Sequence, residues 1–142
     1  MTSYSFGTLI SVLLFSCTML AVVSAQGTPV CVTGVAMDFY CIARGTLLDN
    51  NQLSTLDYAH EHTIHCLVDV SFCVSSGYEI LVPSASSSAS YAYARAVVLD
   101  AFGNEEIVRL ARSVGRCSTC TGEGTQSKNF VVTVTGTLAT AS

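Results

Sequence analysis

Charge is what this sequence has least of. Only 11% of its residues are Asp, Glu, Lys or Arg, and no charged side chain occurs before Asp38. The six basic residues, Arg44, Arg95, Arg109, Arg112, Arg116 and Lys128, are scattered, and the one dense group, Arg109 to Arg116, has helical spacing. Nucleic-acid binders draw their affinity from clustered Lys and Arg that displace counterions from phosphates. With a formal net charge of −4 and no such cluster, nucleic acid is excluded as a partner. Catalytic signatures are missing too. There is no G-x-S-x-G turn to present a serine nucleophile and no glycine loop to cradle phosphate. Asp38, Asp69, Asp100, Glu105 and Glu106 fall where helix starts and strand ends explain them. No enzyme activity is therefore expected. Asn50, Asn51, Asn104 and Asn129 each lack Ser or Thr two positions on, so N-glycosylation is not expected either.

Apolar residues, by contrast, make up half of the chain, enough for a globular core. Part of that share lies in an almost unbroken apolar run, Leu9 to Val23. It has the length of a signal-peptide core and falls short of the roughly 20 residues that span a bilayer. Val23-Ser24-Ala25 supplies small residues at the positions a signal peptidase reads, so residues 1–25 are expected to be removed before Gln26. The expected product, residues 26–142, is a single secreted, extracellular domain with no membrane span after cleavage. Cys17 leaves with the leader. The other six cysteines, Cys31, Cys41, Cys66, Cys73, Cys117 and Cys120, form an even set, which in a short secreted domain predicts a disulfide framework of unassigned pairing.

Periodicity supplies the elements. Val30 to Ala36 predicts a strand ending near Asp38, and Asp49-Asn50-Asn51 centres a loop from Arg44 to Asp57. His60 to Cys73, with Ile64, Leu67, Val68 and Phe72 on one face, predicts a short helix. Tyr78 to Val82 reads as a strand stopped by Pro83, and Ser84 to Ser90 as a flexible hairpin loop. Tyr91 to Leu99 alternates as the partner strand. Asn104 is expected to cap a helix carrying Ile107, Leu110, Ala111 and Val114, ended by Gly115. Phe130 to Leu138 alternates strictly and predicts a terminal strand. The fold class is α+β and mainly β: a small antiparallel sheet or barrel with one or two helices, stabilised by disulfides.

Several of these residues form a pattern. V-x-G-x-x-x-D-x-x-C (Val32, Gly34, Asp38, Cys41) precedes H-T-x-x-C with a further cysteine (His62, Thr63, Cys66, then Cys73). A G-Y-x-x-L strand (Gly77, Tyr78, Leu81), Leu99-Asp100 and a closing V-T-V-T-G-T (Val132 to Thr137) follow. This resembles a group of small exported bacterial domains of uncharacterised function. The resemblance implies an OB-like β-barrel and brings no activity with it. The chain departs from the pattern in its loops at Arg44 to Asp57 and Ser84 to Ser90, and in carrying Cys31 and the Cys117/Cys120 pair.

Three sets of residues are candidates for chemistry. All three histidines, His60, His62 and His65, fall in one stretch beside Cys66. On an extended segment His60 and His62 share a side, and on a helix His62 and His65 share a face. Either pairing offers two nitrogens to Cu²⁺ or Zn²⁺, with Glu61 or Asp57 as an oxygen donor. Otherwise they are a solvated helix entry. Tyr78, Tyr91 and Tyr93 on adjacent strands could bind a ligand as OB-like barrels do, or simply fill a half-buried sheet. Cys117-x-x-Cys120 has redox spacing but follows a predicted helix instead of opening one, which favours a structural pair. The function expected first is a secreted binding or surface-interaction module for an unknown extracellular ligand or protein, with no cofactor. An extracellular Cu- or Zn-binding protein using the histidines comes second, and thiol–disulfide exchange at Cys117 and Cys120 third.

Overall fold

The computed structural model of the protein describes residues 27–86, 88–114 and 128–139. The expected leader and its cleavage site, Cys117, Cys120 and Gly115 all lie outside the described residues. Four strands, β1 (Pro29–Asp38), β2 (Tyr78–Pro83), β3 (Tyr93–Val98) and β4 (Val131–Thr137), form one antiparallel sheet in the order β3-β2-β1-β4. Four helices accompany it: α1 (Phe39–Arg44), α2 (Ile64–Asp69), α3 (Ser71–Ser76) and α4 (Ala101–Val114). A 3-10 turn, Ala59–Glu61, precedes α2. None of the described helices is long and apolar enough to cross a membrane.

The α+β class and the antiparallel sheet are as expected. Closure into an OB-like barrel is not seen: that barrel takes five strands, and the four described here leave β3 and β4 as open edges. The central strand carries the fold. Gly34 to Asp38 are consecutively buried, the mark of a strand covered on both faces. Ala36 and Ile80 pack with Ile64, Leu67, Val68, Leu99, Ile107 and Ala111. Val35, Met37 and Leu81 pack with Cys41, Leu47, Ala59, Cys66 and Cys73. Gly34 is needed where β1 meets β2, because a Cβ there would sit 2.3 Å from the Leu81 carbonyl oxygen.

The helix α1 was not expected, and three element boundaries differ from the expected ones by two residues or more. The helix predicted across His60 to Cys73 is broken at Val70, which is extended (φ −89°, ψ 109°) and separates α2 from α3. A β-branched residue loses little by leaving a helix, and the break lets both cysteines face one point. The last helix starts at Ala101 instead of after Asn104. Asp100 caps it by accepting from Gly103 N–H at 2.8 Å, and Asn104, now inside the helix, accepts the Tyr78 N–H at 3.0 Å. β3 begins at Tyr93, leaving Tyr91 in the preceding loop.

Candidate metal centre

The site begins with two helix caps. Asp38 ends β1 and caps α1, its Oδ1 accepting the Cys41 N–H at 2.9 Å. Thr63 caps α2, its hydroxyl accepting the Cys66 N–H at 3.1 Å. The sequence pairs D-x-x-C and T-x-x-C are thus the same device: a capping side chain followed by a cysteine at the third helical position. Cys73 holds that third position in α3, after the cap residue Val70. Three six-residue helices therefore each deliver one sulfur from their first turn.

The three sulfurs and one Asp38 carboxylate oxygen all lie within 4.8 Å of one another, and all four residues are buried. Cys66 Sγ and Cys73 Sγ are 3.5 Å apart. His62 closes the group: it is 2% exposed, and its Nε2 lies 3.0 Å from Asp38 Oδ2. Beyond this contact with each other, neither atom has a hydrogen-bond partner among the described residues. A buried pair of this kind, with no further partner for either atom, is costly to desolvate unless something else binds there.

The surroundings hold these groups rigidly. The Thr63 N–H (3.2 Å) and hydroxyl both donate to Asp49 Oδ2. The Thr55 hydroxyl donates to the Cys41 carbonyl at 2.8 Å. The His62 carbonyl accepts from Asn129 N–H at 3.2 Å. Tyr78, paired with Asp38 across β1 and β2, sends its hydroxyl to the Leu67 carbonyl at 2.6 Å and so fastens α2 to the sheet. Gly77, which lets α3 turn into β2, has a φ of 81° that other residues avoid.

Electrostatics point the same way. The Cys66 and Cys73 thiols beside Cys41, with His62 adding to them, hold the Cys41 thiol far below its usual range against the opposing effect of burial. Cys66 and Cys73 are pushed up, chiefly by that Cys41 sulfur. Burial works against a charge on His62, but the Asp38 carboxylate and the Cys41 sulfur outweigh it and raise the imidazole to about 9.

Not all the expected candidates meet here. His62 joins the cluster. His60 is exposed and contacts Glu61 (3.7 Å) and the Tyr93 hydroxyl (3.3 Å), while His65 pairs with Asp69 at 3.2 Å. The structure thus does not assemble His60, His62 and His65 into one metal site, because the 3-10 turn and α2 send their side chains to separate partners. Glu61 pairs with Lys128 at 2.7 Å, and Asp57 accepts the Ala92 N–H, so neither supplies an oxygen to such a site. Tyr78 is fully buried and therefore no part of a ligand surface, while Tyr91 is exposed and Tyr93 partly so.

Disulfides are not formed among the described cysteines, no two of which are at bonding distance. Cys31 is exposed on β1, and at 3.3 Å per residue it lies roughly 23 Å along the strand from Asp38. It cannot reach the other three. The cysteine cluster itself was missed in the sequence, although its signal was present: both caps and all three cysteines are in the D-x-x-C, H-T-x-x-C, Cys73 pattern. Compared with known proteins, the chain matches no family model, no curated protein and no solved structure.

Proposed function

We propose that the protein is a metal-binding domain whose centre is held by the thiolates of Cys41, Cys66 and Cys73, with a fourth donor from the Asp38/His62 pair. The observation that carries this is the convergence of three buried sulfurs on two buried polar atoms that have no other partner. Three thiols at one point cannot all be paired as disulfides, whereas a single metal ion engages all of them. At Zn–S bonds of about 2.3 Å, tetrahedral geometry separates two sulfurs by about 3.8 Å. The Cys66–Cys73 distance of 3.5 Å is near that and far from the roughly 2.05 Å of a disulfide. All four converging residues are buried, which suits a structural centre better than a catalytic one that keeps an open position.

The motifs D-x-x-C, H-T-x-x-C and G-Y support the proposal, since Asp38, Cys41, His62, Thr63, Cys66, Gly77 and Tyr78 build, cap or fasten the cluster together with Cys73. Secretion after cleavage before Gln26 belongs to the same proposal and is supported by the apolar run Leu9 to Val23 and the small residues before Gln26. A binding-module role through the tyrosines loses ground, since Tyr78 is buried in the core.

Titration with Co²⁺ tests the function. The protein is expected to take up one equivalent per chain, with sulfur-to-metal charge-transfer absorption and the visible bands of a tetrahedral ion, and Cys66→Ser is expected to lose both. A parent chain that gives no charge-transfer band refutes the metal centre.

A further inference from the structure

We infer that Asp38 is the fourth ligand of this centre and that His62 acts from behind Asp38 as its positioning residue, making an S₃O site suited to zinc-like divalent ions. The inference rests on the metal reading above and assigns its ligand set. The histidine looks the more obvious donor, since Cys₃His is a familiar zinc set. Geometry favours the carboxylate. One Asp38 oxygen lies within 4.8 Å of all three sulfurs, and no His62 nitrogen belongs to that converging set.

The two Asp38 oxygens have divided tasks. Oδ1 takes the Cys41 N–H at 2.9 Å, which locks the carboxylate plane to the start of α1. Oδ2 is buried, and its one polar neighbour besides the sulfurs among the described residues is His62 Nε2 at 3.0 Å. Ligating carboxylates are characteristically held from behind by such an outer partner, which orients them and tunes their donor strength.

The donor set then selects the metal. Thiolates alone suit Cu⁺, and adding a hard carboxylate oxygen shifts preference toward borderline divalent ions of tetrahedral habit, with Zn²⁺ foremost. Copper, one of the two metals the histidine spacing suggests, is disfavoured.

X-ray absorption at the zinc edge of the full-length chain loaded with one equivalent of Zn²⁺ tests the assignment. The expected spectrum has three sulfurs near 2.3 Å and one oxygen near 2.0 Å, without the outer-shell scattering of an imidazole ring. His62→Gln is expected to keep that ligand set while binding zinc about 10–100-fold more weakly, the usual effect of losing an outer partner. Imidazole scattering in the parent that disappears in His62→Gln makes His62 the ligand and overturns the inference, leaving the metal centre intact. Failure of the parent to hold stoichiometric zinc overturns the metal centre itself.

Discussion

At the scale of single residues, neighbours in sequence are assigned opposite roles. His60, His62 and His65 lie within one short stretch, yet only His62 enters the core, and the other two make partly exposed contacts with Glu61 and Asp69. Exposed pairs of this kind contribute little, about 0–1 kcal/mol. The double variant His60→Ala/His65→Ala is therefore expected to bind Zn²⁺ as the parent does and to change stability by no more than about 1 kcal/mol, as checked by a competition titration and a denaturant curve. A loss of zinc binding in that variant would return the site to the histidine cluster. The sequence marked this stretch as a candidate site but not the cysteines and Asp38 that His62 meets in the core. A histidine-rich run announces itself, whereas three cysteines separated by 25 and 7 positions converge only once α1, α2 and α3 are placed.

At the scale of elements, two short motifs decide whether the cluster forms. A six-residue helix is far below the length at which an isolated helix is stable, so α2 depends on its cap and its packing. Thr63→Ala removes the hydroxyl that accepts the Cys66 N–H and also binds Asp49. The expected cost is about 1 kcal/mol, within the range of about 0.5–2 for lost caps, together with weaker zinc binding. Thr63→Ser is expected to restore both, which an urea titration with and without zinc reads directly. Gly34→Ala tests the close approach of β1 to β2: a new Cβ 2.3 Å from a backbone oxygen forces the strands apart. It is expected to destabilise by at least about 1–3 kcal/mol, as overpacked cores do, and a thermal melt indistinguishable from that of the parent would contradict the close approach.

The elements were largely legible because each has a local cause. Strict alternation marked β4, Pro83 stopped β2, and apolar spacing found α4. What escaped were the places where tertiary contacts override local preference. Asn104 is a strong cap in sequence, yet its side chain is needed by Tyr78 and the helix starts one turn earlier, on Asp100. The apolar face of His60 to Cys73 suggested one helix, because periodicity cannot show that Val70 turns aside to aim Cys73 at Cys66 and Cys41.

At the scale of the whole molecule, the metal centre takes the stabilising place that disulfides were expected to hold. β1 runs through the middle of the sheet and ends at Asp38, so the ion would join the sheet to three helices at once. A ligand that binds only the folded chain stabilises it by mass action, about 2.7 kcal/mol at one hundred times its dissociation constant. The barrel expectation failed for a reason of the same scale. Strand alternation sets which face is buried and leaves open how many strands the sheet has or whether its edges meet.

The most direct measurement is native mass spectrometry of the full-length protein, purified without chelator, followed by denaturation and thiol alkylation. One zinc per chain, lost on denaturation and leaving Cys41, Cys66 and Cys73 all alkylated, is the predicted result. A metal-free chain in which two of these three cysteines resist alkylation because they are joined as a disulfide would contradict the account.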